Sequence, residues 1–216
     1  MSSCLSALAD LNKTLLTLYP EAVCALDYQN PWQLLVASRL SAQCTDKRVN
    51  IVTETLFKTY PTIESTCQST KEEIEKIIRP CGLGNTKARD IVAAAHYLTE
   101  HHGGEIPDNM AELLKIPGVG RKIANLLLGD LFHKPAIVVD THFMRIVRRI
   151  GLTKAENPAA IEREMKELFI KTGLYKQSSD FCHRIVWFGR DVCDARKPRC
   201  EDCLMKENCE YYSDNK

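Results

Sequence analysis

Apolar residues recur along this chain at spacings of three and four, with polar residues between them, and that period predicts helices almost throughout. A first helix runs from Leu5 to Leu18 and stops before Pro20. Asn30-Pro31 reads as an N-cap followed by proline at the first helical position, with Gln33 completing a capping box, and the helix continues through Leu34, Leu35, Val36, Ala37 and Leu40. Asp46 to Tyr60 forms the next, closed by Pro61. Thr70-x-x-Glu73 is a capping box ahead of Ile74, Ile77 and Ile78, and Pro80 stops that helix. An amphipathic run from Lys87 to His101 ends at Gly103-Gly104. A short helix from Met110 to Lys115 and a tight Pro117-Gly118-Val119-Gly120 turn lead into a helix from Arg121 to Phe132. Asp140 or Thr141 caps a helix ending near Gly151; Asn157-Pro158 opens one that reaches Lys171; a last covers Asp180 to Arg190. Ile137-Val138-Val139 is the one strand-like run, too short to make a sheet, so the fold class is all-α.

Composition narrows the possibilities. At roughly 150 residues per domain, 216 residues make one or two domains. No run of about 18 apolar residues predicts a membrane span, and Met1-Ser2-Ser3-Cys4-Leu5 lacks the features of a secretory signal, so a cytoplasmic protein is expected. A net charge of +1 is not the signature of a nucleic-acid coat protein. Any DNA binding must come from local basic patches. Of ten cysteines, Cys4, Cys24, Cys44, Cys67, Cys81 and Cys182 are scattered and the rest crowd into the final stretch, which inside a cell reads as metal binding rather than disulfides.

Those last cysteines, Cys193, Cys200, Cys203 and Cys209, form C-x6-C-x2-C-x5-C. Thiolates suit iron–sulfur clusters or zinc. Structural zinc sites usually pair their ligands in two short knuckles, whereas only one close pair exists here, so the spacing leans towards a cluster. Arg196, Lys197 and Arg199 lie between the first two ligands. They either meet a DNA phosphate backbone or sit in a solvated loop that offsets the cluster's negative charge.

The stretch from Leu113 to Asn125 carries most information. Glycines at Gly118 and Gly120 permit a sharp turn and close approach of the backbone to a ligand. Val119, Gly120 and Arg121 then open a helix whose unpaired N–H groups and dipole suit a DNA phosphate. Lys122 sits in that first turn, where the dipole, and partial burial if present, would lower its pKa and make it an amine nucleophile. The alternative is a lysine that contacts phosphate beside Arg121. Asp140, straight after an apolar run, is placed to stabilise positive charge on a sugar or to take a proton. It is equally placed to cap the following helix, and the two roles are compatible.

Together these pieces resemble the endonuclease III family of helix–hairpin–helix DNA glycosylases, over about Asn30 to Cys209. The signatures are Leu40-Ser41-Ala42-Gln43-Cys44-Thr45-Asp46, Gly82-Leu83-Gly84-Asn85-Thr86-Lys87-Ala88, the Ile116-to-Asn125 hairpin, Val139-Asp140-Thr141-His142, and the cysteine pattern. The resemblance implies two helical domains flanking a DNA-binding cleft. One is a six-helix barrel, residues 24–133, containing the hairpin at about 110–132. The other joins residues 1–23 to 134–216 and holds a [4Fe-4S] cluster on the four cysteines. It further implies a monomer acting on double-stranded DNA with damaged bases or abasic sites. Lys122 would attack C1′ of a flipped nucleotide and Asp140 would assist base departure. Gln43 would fill the gap in the stack, Leu83 would wedge the opposite strand, and His142 would contact DNA. The implied substrates are oxidised or ring-saturated pyrimidines, excised with strand cleavage by β-elimination.

Rival readings are a monofunctional thymine or uracil mismatch glycosylase, a non-catalytic iron–sulfur DNA-binding protein, and a structural zinc protein. The presence of both Lys122 and Asp140 opposes the first two. Arg39 departs from the aliphatic residue usual in the family. Lying one turn before Gln43, it either reaches a lesion pocket or pairs with a carboxylate on a neighbouring helix. Gly84 departs from a bulkier residue and bears on the geometry of the Leu83 wedge.

Overall fold

The computed structural model describes residues 2–215, and among them every regular element is helical. In order these are α1 (Ser2–Leu18), α2 (Pro31–Leu40), α3 (Asp46–Thr59), α4 (Ile63–Cys67), α5 (Lys71–Ile78), α6 (Gly84–His102), α7 (Met110–Leu113), α8 (Arg121–Phe132), α9 (Thr141–Ile150), α10 (Pro158–Lys171), α11 (Ser178–Asp191) and α12 (Glu210–Asp214), with short 3-10 turns between some of them. No helix among the described residues is long and apolar enough to cross a membrane.

The chain divides into two compact units. Cys24–Phe132 holds α2 to α8. There α6 packs on α4 and α5, and α2 packs on α3 and α8. The second unit joins the N-terminal helix to the chain beyond Phe132. Its core gathers Leu8, Leu11 and Leu15 of α1 with Phe143 and Ile146 of α9, Phe169 of α10 and Phe181 and Phe188 of α11. Phe181 meets Phe143 and Phe169 edge-on, at 6.1 and 5.0 Å between ring centres. Each buried ring contributes about 2–3 kcal/mol by leaving water, with about 1 kcal/mol more from such edge contacts.

The helix ends follow their capping residues. Asn30, Thr45, Thr70, Asn109, Asp140 and Asn157 each accept a backbone N–H of the first turn, an interaction of about 1 kcal/mol per helix. The capping box at Thr70 and Glu73 forms in both directions. The one expected at Asn30 does not: Gln33 accepts from Gln29 N at 2.8 Å, one residue further out than the cap. Several boundaries and one element also differ from the sequence expectation, α1 starting at Ser2, α7 ending at Leu113 and α11 starting at Ser178 among them. The α6 helix begins at Gly84, three residues before Lys87, because Leu83 enters it through left-handed backbone (φ 53°) and supplies no side-chain cap. The α4 helix was not anticipated, since one turn is too short to show a period; its Thr62–Ser65 capping box is the signal that reveals it. Ile137 and Val139 are buried in an extended segment that joins no sheet. Side chains take its amides instead, Ser179 Oγ that of Ala136 and Cys182 Sγ that of Val138.

Candidate active site and nucleic-acid interface

The hairpin turns on two glycines that do different work. Leu113, Ile116 and Val119 are buried and hold the turn to its unit. Gly118 has φ 78°, and a Cβ there would lie 2.8 Å from Asp90 Cβ and 3.0 Å from Arg39 Nε. Its hydrogen is therefore required twice, by conformation and by packing. Gly120 has ordinary φ and a Cβ would meet nothing within 4 Å. What its bareness leaves open is the outer surface at the start of α8, where the helix N–H groups are directed.

Lys122 occupies the first turn of α8 and is exposed, as is Arg121. The partial burial considered for it is absent. The N-terminal position and solvent access remain. In the second unit, Asp140 Oδ1 accepts Phe143 N at 2.7 Å and caps α9, so the carboxylate is fixed by the helix it starts. His142 follows in the first turn. Burial lowers its pKa, Arg145 and Arg190 act in the same direction, and Asp140 opposes them. Gly189 of α11 admits α9 closely: a Cβ there would sit 2.6 Å from His142 Nδ1.

Gln43 and Leu83 are both exposed and both stand in left-handed backbone, with φ 55° and 53°. For residues other than glycine this costs on the order of 1 kcal/mol each, and such strain gathers at functional sites. Arg39 is held by a carboxylate of α6. Its side chain is 14% exposed, and its Nε and terminal nitrogen bond Asp90 Oδ2 at 3.0 and 2.7 Å. Arg89 takes the other carboxylate oxygen at 2.9 Å. The ion pair lies under Gly118, and it is the pairing with a carboxylate on a neighbouring helix that the sequence offered as one reading of Arg39.

Lys87 is the residue that sequence reading missed. It is fully buried, and Nζ donates to Leu40 O at 2.8 Å and Cys81 O at 2.9 Å. Desolvation lowers its pKa. The neighbouring Cys81 thiol, hydrogen-bonded to Cys44, is pushed up to about 11 by burial. The one sign in the sequence was a lysine among the residues Gly82 to Ala88 at a helix start, where the dipole repels a cation.

Cys193, Cys200, Cys203 and Cys209 line one partly open pocket and form no disulfide. Among the described residues no three His, Cys, Asp or Glu side chains converge on a position for one metal ion. Four free thiols lining one pocket are a donor set that suits an iron–sulfur centre or zinc. Burial pushes the Cys203 and Cys209 thiols up, and the neighbouring cysteines push the same way. A cationic centre would relieve both effects. Arg149 of α9 holds the loop in place, donating to Cys193 Sγ at 3.3 Å, Asp194 O at 2.7 Å and Ala195 O at 2.9 Å. Asp194 Oδ1 accepts the amides of Arg196 and Lys197, whose side chains are exposed. Arg199 is tied to Asp191 through both its carbonyl and its carboxylate, so the loop offers Arg196 and Lys197 more freely than Arg199.

Residues 36–171 match the family described as HhH-GPD superfamily base excision DNA repair protein. The chain belongs to the HhH-GPD superfamily of base excision DNA repair proteins. Within it the similarity runs to endonuclease III. The chain is 45% identical to endonuclease III of Synechocystis sp. over 193 residues, covering 89% of this chain and 86% of that one. A structure of a trapped endonuclease III–DNA covalent intermediate, in an estranged-adenine complex, superposes with a TM-score of 0.91 at 36% identity, over 98% of both chains. A thermostable thymine-DNA glycosylase superposes with a TM-score of 0.81 at 25% identity, over 95% of this chain and 98% of that one.

Proposed function

We propose that the chain is a bifunctional DNA N-glycosylase and AP lyase of base excision repair, acting in the bacterial cytoplasm on duplex DNA with oxidised or ring-saturated pyrimidines. The observation that carries this is Lys122, solvent-accessible in the first turn of α8 directly after the Gly118–Gly120 turn, in a chain that superposes on a covalently trapped endonuclease III.

The neutral amine of Lys122 attacks C1′ as the glycosidic bond breaks. The base leaves with the bonding electrons and takes up a proton. The secondary amine opens the sugar ring to an imine, which acidifies the C2′ proton. Loss of that proton expels the 3′ phosphate, and water then hydrolyses the imine and frees Lys122. Asp140, held by its capping bond, stabilises the positive charge that grows on the sugar and accepts protons. Phosphate is gripped at the turn by the amides of Gly118, Gly120 and Arg121, while that of Val119 donates to Ile116 O and shapes the turn, with His142, Arg196 and Lys197 adding contacts; Gln43 and Leu83 occupy the disrupted stack.

The residues 24–133 form the barrel domain in this reading, and the remainder the cluster domain. Cys193, Cys200, Cys203 and Cys209 would hold a [4Fe-4S] cluster, which when bound supplies a rigid staple for the basic loop rather than chemistry at the sugar. Support comes from the four free thiols around one pocket and from Arg149 anchoring their loop.

Borohydride reduction during turnover on DNA with a single abasic site tests the mechanism. A covalent protein–DNA adduct is expected, absent in Lys122→Ala, which binds the same DNA but does not nick it. Base release without an adduct or nicking would instead establish a monofunctional glycosylase.

A further inference from the structure

Two loops far apart in sequence carry the left-handed residues Gln43 and Leu83, and both are rooted on one buried side chain. Leu40, whose carbonyl Lys87 Nζ holds at 2.8 Å, ends α2 three residues before Gln43. Cys81, whose carbonyl it holds at 2.9 Å, closes a 3-10 turn two residues before Leu83. The backbone joins in, since Lys87 N donates to Leu83 O at 3.0 Å. Carbonyls at helix C-termini lack intrahelical partners and carry the negative end of the helix dipole, so an ammonium suits them better than a neutral donor.

The location is costly for a charge. Lys87 is 0% exposed, and its ammonium has left water for two carbonyls and the neighbouring Cys44 and Cys81 sulfurs. No acidic side chain within ion-pair distance of Lys87 is found among the described residues. An apolar residue would fill the same volume without that penalty. What the ammonium adds is a geometric tie between the ends of α2 and of the turn at Arg79–Cys81. Strained residues persist only where their surroundings over-determine them, and this tie fixes the approach to both.

We propose that Lys87 is a positioning residue for base eversion: one ammonium sets the separation and register of Gln43 and Leu83, so that the two side chains enter the duplex as a unit. This rests on the reading that Gln43 and Leu83 occupy the disrupted stack. Lys87 touches neither DNA nor the reacting atoms. It acts through the two loops and bears on the opening of a damaged pair, not on chemistry at Lys122.

The test compares two substrates. Excision of a ring-saturated pyrimidine from duplex DNA requires the pair to be opened. β-Elimination at a preformed abasic site in a single strand does not, because no partner strand has to be wedged and no gap filled. Flipping costs a few kcal/mol, and each 1.4 kcal/mol of lost assistance is about tenfold. Lys87→Met, which keeps the stem and removes the donors, is expected to slow duplex excision at least about tenfold while single-strand nicking stays within about twofold. Lys87→Gln, able to reach one carbonyl, is expected to fall between, and serves if the Met variant does not fold. In the Lys87→Met background, Gln43→Ala and Leu83→Ala should each cost less than in the parent. A merely structural role would lower both activities together by the folded fraction, and that result, or an unchanged duplex rate, would overturn the proposal. Gln43→Ala and Leu83→Ala singles that leave duplex excision intact would overturn the reading beneath it, and the proposal with it.

Discussion

The molecule anchors loops with cations in two places, and the two differ in kind. In the Cys24–Phe132 unit, Lys87 is wholly buried and spends its ammonium on carbonyls 47 and 6 residues away. In the other unit, Arg149 lies half-open at the surface, bonding carbonyls of Asp194 and Ala195 and stacking its guanidinium 4.5 Å over the Tyr211 ring. The first tie serves strained backbone that only the protein's own groups hold. In the proposed reading the second serves a loop that cluster ligation would fix, so the cation need only guide it. Where a fold must hold its own loops it buries a charge; where it can recruit ligation it leaves the anchor near water.

The sharpest way to break this contrast is to remove a cysteine. Cys203→Ser is expected to lose most bound iron and the broad absorbance near 400 nm, and to render the segment from Val192 to Cys209 protease-sensitive in limited digestion. Resistance equal to that of the parent would mean that Arg149 and the core suffice, and the contrast would fail. A smaller effect separates the two hairpin glycines. Gly118→Ala meets both positive φ and the Arg39–Asp90 pair and should destabilise by about 2 kcal/mol in urea unfolding. Gly120→Ala meets open space and should change stability by less than about 0.5 kcal/mol while weakening DNA affinity in a binding titration. Equal stability losses would show that packing, and not ligand access, governs both.

Asp140→Asn asks whether a residue fixed by a cap also does chemistry. Asparagine caps as well as aspartate, so the thermal midpoint should hardly move while base excision slows at least about tenfold. Full activity would leave Asp140 as a cap. The least effect concerns pH. Burial lowers the pKa of His142 in the folded chain, so the unfolded chain binds its proton first as pH falls. Stability from this group is complete above about 6.5, the ordinary histidine value, and is lost as pH drops through the folded pKa. His142→Gln should therefore lose less stability than the parent between pH 7.5 and 5 in urea titrations. Identical losses would place the acid sensitivity elsewhere.

Much of this protein is legible in its sequence because the determinants are local. Caps, prolines and the apolar period set most helix boundaries, and Asn30-Pro31, Thr70-x-x-Glu73 and Asn157-Pro158 each act within one turn. The hairpin, Lys122, Asp140 and the cysteine spacing are contiguous strings, so their chemistry is visible as residue types at fixed offsets. The start of α6 and the one-turn α4 were not visible, the former because Leu83 adopts left-handed backbone under tertiary constraint and the latter for want of length.

Two cations mark where local information ends. The partner of Arg39 is Asp90, 51 residues on, which no local pattern names. Lys87 reads as an ordinary helix-start lysine until the fold places it beneath Leu40 and Cys81. Sequence by itself determined the helices, the family and the chemistry available. Tertiary structure decided which charged side chains leave water and which partners they meet, because the free energy of a charge depends on its surroundings, and those are assembled from distant parts of the chain.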